Sequence, residues 1–247
     1  MTQIWRYLPL LEASGRVQMA IDTWLLQQHR LGKQPPCLRF YTWSPPAISL
    51  GYHQRRYPET WHQITWQGQP LEIVRRPTGG RAVLHDQDLT YAIVTSGIPG
   101  RVIGVYHYLS SFLIEAGRSL GLVLDYGQGG KNYLNHANCL ATSTPADLVD
   151  LTGQKLVGSA LLKQGNCYLL HGSLQLATDN QLYTQVFGDL PPVYPAANYN
   201  LDTWIKAMLE AAQRSFQIEL ITQPLLDAEW VEIQTFVSEV LNVKKKP

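Results

Sequence analysis

Between Gln154 and Leu176 the chain reads QKLVGSALLKQGNCYLLHGSLQL, two apolar runs broken at Gly158-Ser159 and again at His171-Gly172-Ser173. Apolar runs bounded by Gly, Asp or Asn form strands. A glycine inside a strand weakens it and marks a place where a ligand or another backbone comes close. Two such breaks on neighbouring strands point to one shared groove. Lys155 opens the first strand and would project near that groove, although a lysine in such a place, taken alone, reads as a surface residue.

The same punctuation recurs along the chain. CLRFYTW alternates Leu38, Phe40 and Thr42 against Arg39, Tyr41 and Trp43 between Pro35-Pro36 and Pro45-Pro46, which predicts strands near 38–43 and 47–52. LEIVRR, LTYAIVT, KLVGSALL and NCYLLHGSLQLA are expected to wall the main sheet. Helical spacing of Val17, Met19, Ala20, Trp24 and Leu25 predicts a first helix ending by Gly32. In RVIGVYHYLSSFLIEAGRSLGL, residues from Val102 to Leu120 recur at threes and fours, an amphipathic helix that should lie on the sheet. Two more helices are expected near 200–216 and 225–242, before a solvated tail of Lys244, Lys245 and Lys246. Strands first and helices mixed in later give an α+β fold, a mixed twisted sheet flanked by helices. With no repeat or linker, residues 1–247 read as one domain with its core at about 15–220 and a C-terminal helix and basic tail at 221–247.

Composition excludes several classes. With 20 Lys plus Arg against 19 Asp plus Glu, the chain lacks the basic surplus that phosphate neutralisation requires, so nucleic acid is not the expected partner. No segment approaches the roughly 18 to 20 apolar residues that span a bilayer, and MTQIWRYLPLLEASGR lacks the pattern of a secretory leader. The three cysteines, Cys37, Cys139 and Cys167, are odd in number and form no CxxC pair, which suits neither a disulfide framework nor a structural zinc site. A soluble, unexported, cytoplasmic protein is expected, with no metal and no membrane partner.

Several catalytic layouts fail on spacing. In YGQGGKN, Gly130-Lys131 is followed by Asn132 where a phosphate-binding loop has Ser or Thr. The seven histidines show no metal-ligand pairing, and no GxSxG elbow occurs. What stands out is RRPTGGRAVLH, from Arg75 to His85, directly after the apolar LEIV. Gly79-Gly80 allows positive φ and close approach to backbone N–H groups, while Arg75, Arg76 and Arg81 suit an anionic or carbonyl-bearing ligand. A β-hairpin turn with solvated arginines fits the composition equally well. Cys139, in the polar stretch NHANCLATSTPADLV, is better placed to ionise than Cys37 or Cys167, which read as small core residues. By itself, however, a lone cysteine packs more often than it reacts.

Taken in order, these blocks resemble the catalytic domain of the biotin and lipoate protein ligase superfamily, and within it the cysteine-dependent octanoyltransferase and lipoate-protein ligase A family. The resemblance runs over QMAID, RFYTWSPPAISLGYHQ, RRPTGGRAVLHDQDLTYAIV, Cys139, ADLVDLTGQKLVGSA and LLHGSLQL. It implies a tunnel for a medium-length acyl chain. The acyl and carrier-arm site would be lined by Arg75, Arg76, Thr78, Gly79, Gly80, Arg81 and His85, together with Gly158, Ser159, Ala160, His171 and Gly172. Lys155 falls in the family's GxKxxGSA pattern and Cys139 where these octanoyltransferases keep their nucleophile. The implied reaction moves octanoyl, or lipoyl, from an acyl carrier protein thioester through Cys139 to a lysine of a lipoyl-domain protein, such as the glycine cleavage H protein or a 2-oxoacid dehydrogenase E2. It needs no cofactor, because a thioester is already activated. Lys155 would stabilise the thiolate, with His85 and His171 supporting it. Burying an eight-carbon chain at about 0.8 kcal/mol per methylene would contribute on the order of 5 kcal/mol and let the tunnel measure length.

Leu140 stands where the pattern has Phe, and Thr144-Pro145-Ala146 precedes the Asp-Leu-Val triplet, differences that bear on the acyl chain and donor. A competing reading is an ATP- and Mg-dependent lipoate ligase acting through lipoyl-AMP. The TGGRAV loop, without a third glycine, and the expected absence of a C-terminal accessory domain count against it. The blocks are also compatible with a transferase that moves the acyl group between two lipoyl domains, and with a non-catalytic binding member of the fold.

Overall fold

The computed structural model describes residues 2–128 and 144–241. In chain order its elements are β1 (Gln3–Ala13), α1 (Gly15–Arg30), β2 (Cys37–Trp43), β3 (Ala47–Leu50), β4 (Thr65–Trp66), β5 (Gln69–Pro70), β6 (Glu72–Arg75), β7 (Val83–His85), β8 (Gln87–Ser96) and α2 (Val102–Ser119). They continue with β9 (Asp125–Tyr126), β10 (Leu148–Val149), β11 (Lys155–Gln164), β12 (Cys167–Ala177), α3 (Asn180–Phe187), α4 (Leu201–Phe216), β13 (Ile218–Thr222) and α5 (Asp227–Leu241). Among the described residues, eight strands form one sheet in the order β13-β1-β2-β8-β12-β11-β10-β9, beside a β6-β3-β7 sheet and a β4-β5 hairpin. β1 is parallel to β13 and β2, whereas β2, β8, β12 and β11 pair antiparallel, so the large sheet is mixed and the fold is α+β as expected.

Because successive strand residues point to opposite faces, the apolar central strands are covered on both. On one face Leu38, Phe40, Tyr91, Ile93 and Leu170 pack with Leu109 and Phe112 of α2 and Trp204 and Met208 of α4. On the other, Tyr41, Ala92, Val94 and Leu169 pack with Met19, Ile21, Trp24 and Leu25 of α1 and Ile233 of α5. The four helices expected from spacing form within a few residues of their expected bounds, and α2 lies on the sheet.

One expectation is corrected. LEIVRR does not wall the main sheet: β6 pairs in parallel with β3, and β3 pairs antiparallel with β7, so 47–50, 72–75 and 83–85 make a separate small sheet. Local β-propensity marks a strand but not its partner. Periodicity also misses β1, whose register shifts between Leu8 and Leu11 and so breaks the period-2 pattern, together with β13 and α3. Among the described residues, no helix is long and apolar enough to cross a membrane.

The edge of the sheet is tied to α5 by a buried ion pair. Arg6 Nη1 and Nη2 donate to the two Glu229 carboxylate oxygens at 2.7 Å each, and further Arg6 donors reach the Gln223 and Pro224 carbonyls. Burial alone would raise the Glu229 carboxyl; hydrogen bonds from Arg6 and the Leu226 N–H and the Arg6 charge outweigh it and hold the group below its ordinary value. Removing one partner of a buried pair strands the other charge. Glu229→Ala is therefore expected to cost about 3 kcal/mol, read as a lowered urea midpoint with an unchanged slope.

Candidate active site

A cavity of about 180 Å³ opens between the two sheets. The main sheet gives it Tyr41, Trp43, Thr90, Gly158, Ser159, Ala160, Leu161, His171, Gly172 and Ser173. The small sheet and its loop give Ser49, Arg76, Gly79, Gly80, Val83 and His85, and Met19, Tyr106 and the 144–147 turn complete the wall. The two glycine-broken strands do face one groove: Gly158 pairs with Ser173, Ser159 with Gly172 and Ala160 with His171. The glycines are needed for space. A Cβ on Gly172 would sit 2.7 Å from both the Gly158 carbonyl oxygen and the Tyr91 hydroxyl, and one on Gly158 would sit 3.0 Å from Lys155 Cε. The Tyr91 hydroxyl in turn meets Ser159 Oγ at 2.7 Å.

Lys155 is buried, 4% exposed, where the sequence alone allowed a surface residue. Its Nζ lies 2.9 Å from Asp147 Oδ1. The other Asp147 oxygen accepts from the Thr144 N–H and hydroxyl, both at 2.8 Å. One carboxylate thus joins a buried cation to the turn at 144–147. Asp147 lines the cavity while Lys155 stands behind it. Cys139 lies outside the described residues, as does Lys131.

Two of the three arginines of RRPTGGR, Arg75 and Arg76, are turned to backbone carbonyls. Arg75 Nη1 donates to Gly51 and Gln54 carbonyls at 2.7 and 2.8 Å and lies outside the cavity wall. Arg76, buried, donates to the carbonyls of Ser49, Gly79 and Arg81 and to Ser49 Oγ. These bonds fold the loop around its own guanidinium. Gly80, at φ 96°, crosses so close to Gly51 that a Cβ on Gly51 would fall 1.9 Å from the Gly80 carbonyl oxygen. Thr78 and Arg81 belong to this loop but are not part of the cavity wall.

Two buried polar chains support the loop. Thr78 Oγ1 lies 2.6 Å from His171 Nε2, and His171 Nδ1 lies 2.8 Å from Asp22 Oδ2. Asp22, on α1, also accepts from Arg39 and from the Tyr41 hydroxyl, at 3.0 Å each. In the second chain Ser49 Oγ lies 2.8 Å from His85 Nε2, and His85 Nδ1 lies 2.7 Å from Asp88 Oδ2. Trp43 stacks on the His85 ring, centroids 3.8 Å apart. Burial depresses the His171 imidazole; Asp22 pulls it back in part, Arg76 and His85 push it down further, and the net position is below the ordinary value. For Asp88, burial is outweighed by the charge of His85 and by hydrogen bonds from His85, Ser173 and Thr90, so its carboxyl is held below the ordinary range. Burial pushes the Cys37 thiol up to about 12, which makes it an unreactive core residue, and Cys167 is half-buried. Among the described residues no three His, Cys, Asp or Glu side chains cluster as they would to hold a metal ion.

Sequence reasoning missed Asp22, Asp88, Asp147 and Ser49. A signal existed for the first: Gln18 and Asp22 are polar residues four apart on the otherwise apolar face of α1, both fully buried. A polar stripe on a buried helix face has to be satisfied by something beneath it.

Comparison with known proteins gives a consistent picture. The family described as lipoyl protein ligase A/B catalytic domain matches residues 14–228. A protein of Kyrpidia tusciae named octanoyltransferase LipM is 38% identical over 188 residues, covering 72% of this chain and 68% of that one. The protein of the same name from Halalkalibacterium halodurans is 30% identical across 96% of both chains. Among solved structures, a putative lipoate protein ligase of T. acidophilum with bound lipoic acid superposes with a TM-score of 0.78 at 20% identity, over 97% of this chain and 96% of that one.

The depressed His171 has a consequence for stability. Below about pH 6.5 the unfolded chain takes up a proton that the folded ring refuses, so stability falls as pH falls until the folded ring also titrates. That slope is at most about 1.4 kcal/mol per pH unit for one proton. Urea titrations at stepped pH should show a shallower dependence in His171→Gln; an equal slope in both proteins contradicts the assignment.

Proposed function

The chain belongs to the lipoyl protein ligase A/B catalytic-domain family, and from that premise we propose that it is an octanoyltransferase of protein lipoylation, working as one catalytic domain. Relatives bearing that name align across most of the chain at 30 and 38% identity. The acyl donor is octanoyl acyl carrier protein, and the acceptor is a lysine of a lipoyl domain, in the glycine cleavage H protein or a 2-oxoacid dehydrogenase E2. Cys139 is the nucleophile and Lys155 the cation that favours its thiolate.

The observation that carries this reading is the burial of Lys155. Keeping an ammonium at 4% exposure is costly unless it is paired and hydrogen-bonded, and Asp147 pairs it beside the cavity. A cysteine is only a few per cent thiolate near neutrality and needs a fixed cation of this kind to react. The cavity supplies the acyl site, with Met19, Tyr41, Trp43, Val83 and Leu161 offering apolar wall to the chain. Gly79 and Gly80 let a ligand approach the loop backbone, and Arg76 holds that loop in shape.

Chemistry proceeds in two thioester-level steps. The Cys139 thiol gives its proton to water and the thiolate attacks the carrier thioester; a new carbon–sulfur bond forms, the old one breaks, and the carrier leaves as a thiolate that takes a proton back from water. The lysine amine of the acceptor then attacks the acyl-cysteine, forming the amide and returning the thiol. The second step is downhill because an amide replaces a thioester, so no ATP is consumed.

Mixing the protein with octanoyl acyl carrier protein should add one octanoyl group, seen by intact mass and released by hydroxylamine. Cys139→Ser should form no such adduct and transfer nothing; transfer at the parent rate contradicts the nucleophile assignment. Lys155→Met should slow adduct formation at least about 10²-fold, on the order of the contribution of a group that sets nucleophile ionisation. Free octanoate with ATP in place of the carrier should give no product, and product there would identify a ligase.

A further inference from the structure

A carrier protein cannot follow its cargo into a closed cavity, so the side on which the cavity opens is the side on which donor and acceptor dock. Met19, Tyr41 and Trp43 of the wall are buried, whereas Gly80 is exposed and Ser159 and Tyr106 are half-buried. Among the described residues the mouth therefore lies between the 76–81 loop and β11. Its two sides differ in charge. On the loop side the segments 51–57 (GYHQRRY) and 75–81 (RRPTGGR) together hold five arginines and no Asp or Glu, in a chain with 20 Lys plus Arg against 19 Asp plus Glu.

The two segments are locked together. Gly51 crosses Gly80, the Tyr52 N–H donates to the Thr78 carbonyl at 2.8 Å, and Arg75 Nη1 holds the Gly51 and Gln54 carbonyls. Arg75 and Arg76 are engaged by backbone carbonyls. Arg55 and Arg56 differ from them: both are exposed, and no ion pair among the described residues involves either. They follow directly on the Gln54 carbonyl that Arg75 holds. The chain from Gly51 to Arg56 spans at most about 18 Å even when fully extended, so both arginines stand near the rim.

Guanidinium groups outside an acyl cavity suit an anion that stays outside while its acyl chain goes in. An acyl carrier thioester has such an anion: the octanoyl group hangs on a phosphopantetheine arm whose phosphodiester lies at the end remote from the sulfur. Arginine matches phosphate oxygens with parallel N–H bonds and keeps its charge at every working pH. The acceptor brings the opposite charge, a lysine ammonium, which clustered arginines repel. We propose that Arg55 and Arg56 bind the phosphodiester of the donor's phosphopantetheine arm, with Arg75 positioning the turn that carries them. This inference rests on the octanoyl-transfer reading above and does not depend on which residue takes up the acyl group. The arginine side of the mouth then distinguishes the donor from the acceptor that follows it into the same site.

The test compares two small donors, S-octanoyl-phosphopantetheine and S-octanoyl-pantetheine, which differ only in the phosphate, and follows octanoyl transfer to a lipoyl domain by intact mass. The parent should prefer the phosphorylated donor by about tenfold in kcat/KM, the scale of two exposed ion pairs, and lose most of that preference at high ionic strength. The double variant Arg55→Gln, Arg56→Gln should bring the ratio close to one while its urea midpoint stays at the parent value. With octanoyl acyl carrier protein it should raise KM more than it lowers kcat. A parent without preference, or an equal preference in parent and variant, overturns the proposal. So does a defect seen only with the intact carrier, which assigns the arginines to the carrier's own carboxylates, or one seen only as a raised KM for the lipoyl domain, which assigns them to the acceptor. A parent that takes octanoyl from none of these donors overturns instead the octanoyl-transfer reading. Tighter calorimetric binding of phosphopantetheine than of pantetheine then becomes the difference that the double variant must abolish.

Discussion

The site depends on one buried carboxylate. Asp22 sits fully enclosed on α1 and accepts hydrogen bonds from Arg39 and Tyr41 of β2 and from His171 of β12. An uncompensated carboxylate there would be untenable, so the helix can dock only where those three donors meet it. Apolar contact between Met19, Ile21, Trp24 or Leu25 and the sheet supplies attraction without direction. The Asp22 network supplies the direction, since buried polar groups tolerate few arrangements. Through His171 and Thr78 that constraint reaches the 76–81 loop, and the loop frames the cavity.

The loop illustrates how charge can serve shape. Three arginines and two glycines in the RRPTGGR stretch invite a reading as an anion cradle. Arg75 and Arg76 instead satisfy carbonyls that a tight loop would otherwise leave without donors. Glycines at 51 and 80 let two backbones cross at a distance no side chain permits. The result is a rigid rim that needs no regular secondary structure, set against a floor whose own glycines, 158 and 172, leave room for Lys155 and Tyr91.

Much of this is legible in the sequence. The spacing of apolar residues places α1, α2, α4 and α5, and the glycine breaks at 158 and 172 locate the groove, because a period of 3.6 or 2 is a local property written in consecutive residues. RRPTGGRAVLH and LVGSA carry the family resemblance. Less legible are strand partners: LEIVRR reads as part of the main sheet and belongs to the small one, and β1 is obscured by the register shift within it. The acidic partners are also hidden. Asp22 and His171 lie 149 residues apart, and Asp147 and Lys155 meet only because a turn returns the chain.

Residue type and short spacing carry α1, α2, α4 and α5, the glycine breaks that mark the groove, and the family, since each is written in consecutive residues. Only the tertiary structure shows that Lys155 is buried rather than solvated, that Arg75 and Arg76 bind backbone, and that of two histidines on the cavity wall one has a hydroxyl partner, Ser49, on that wall and the other, bonded to Thr78, does not. The physical reason is that burial and hydrogen-bond pairing are properties of distances across the folded chain. A residue's charge is fixed by its chemistry, but what that charge does is fixed by what the fold brings within about 3 Å of it.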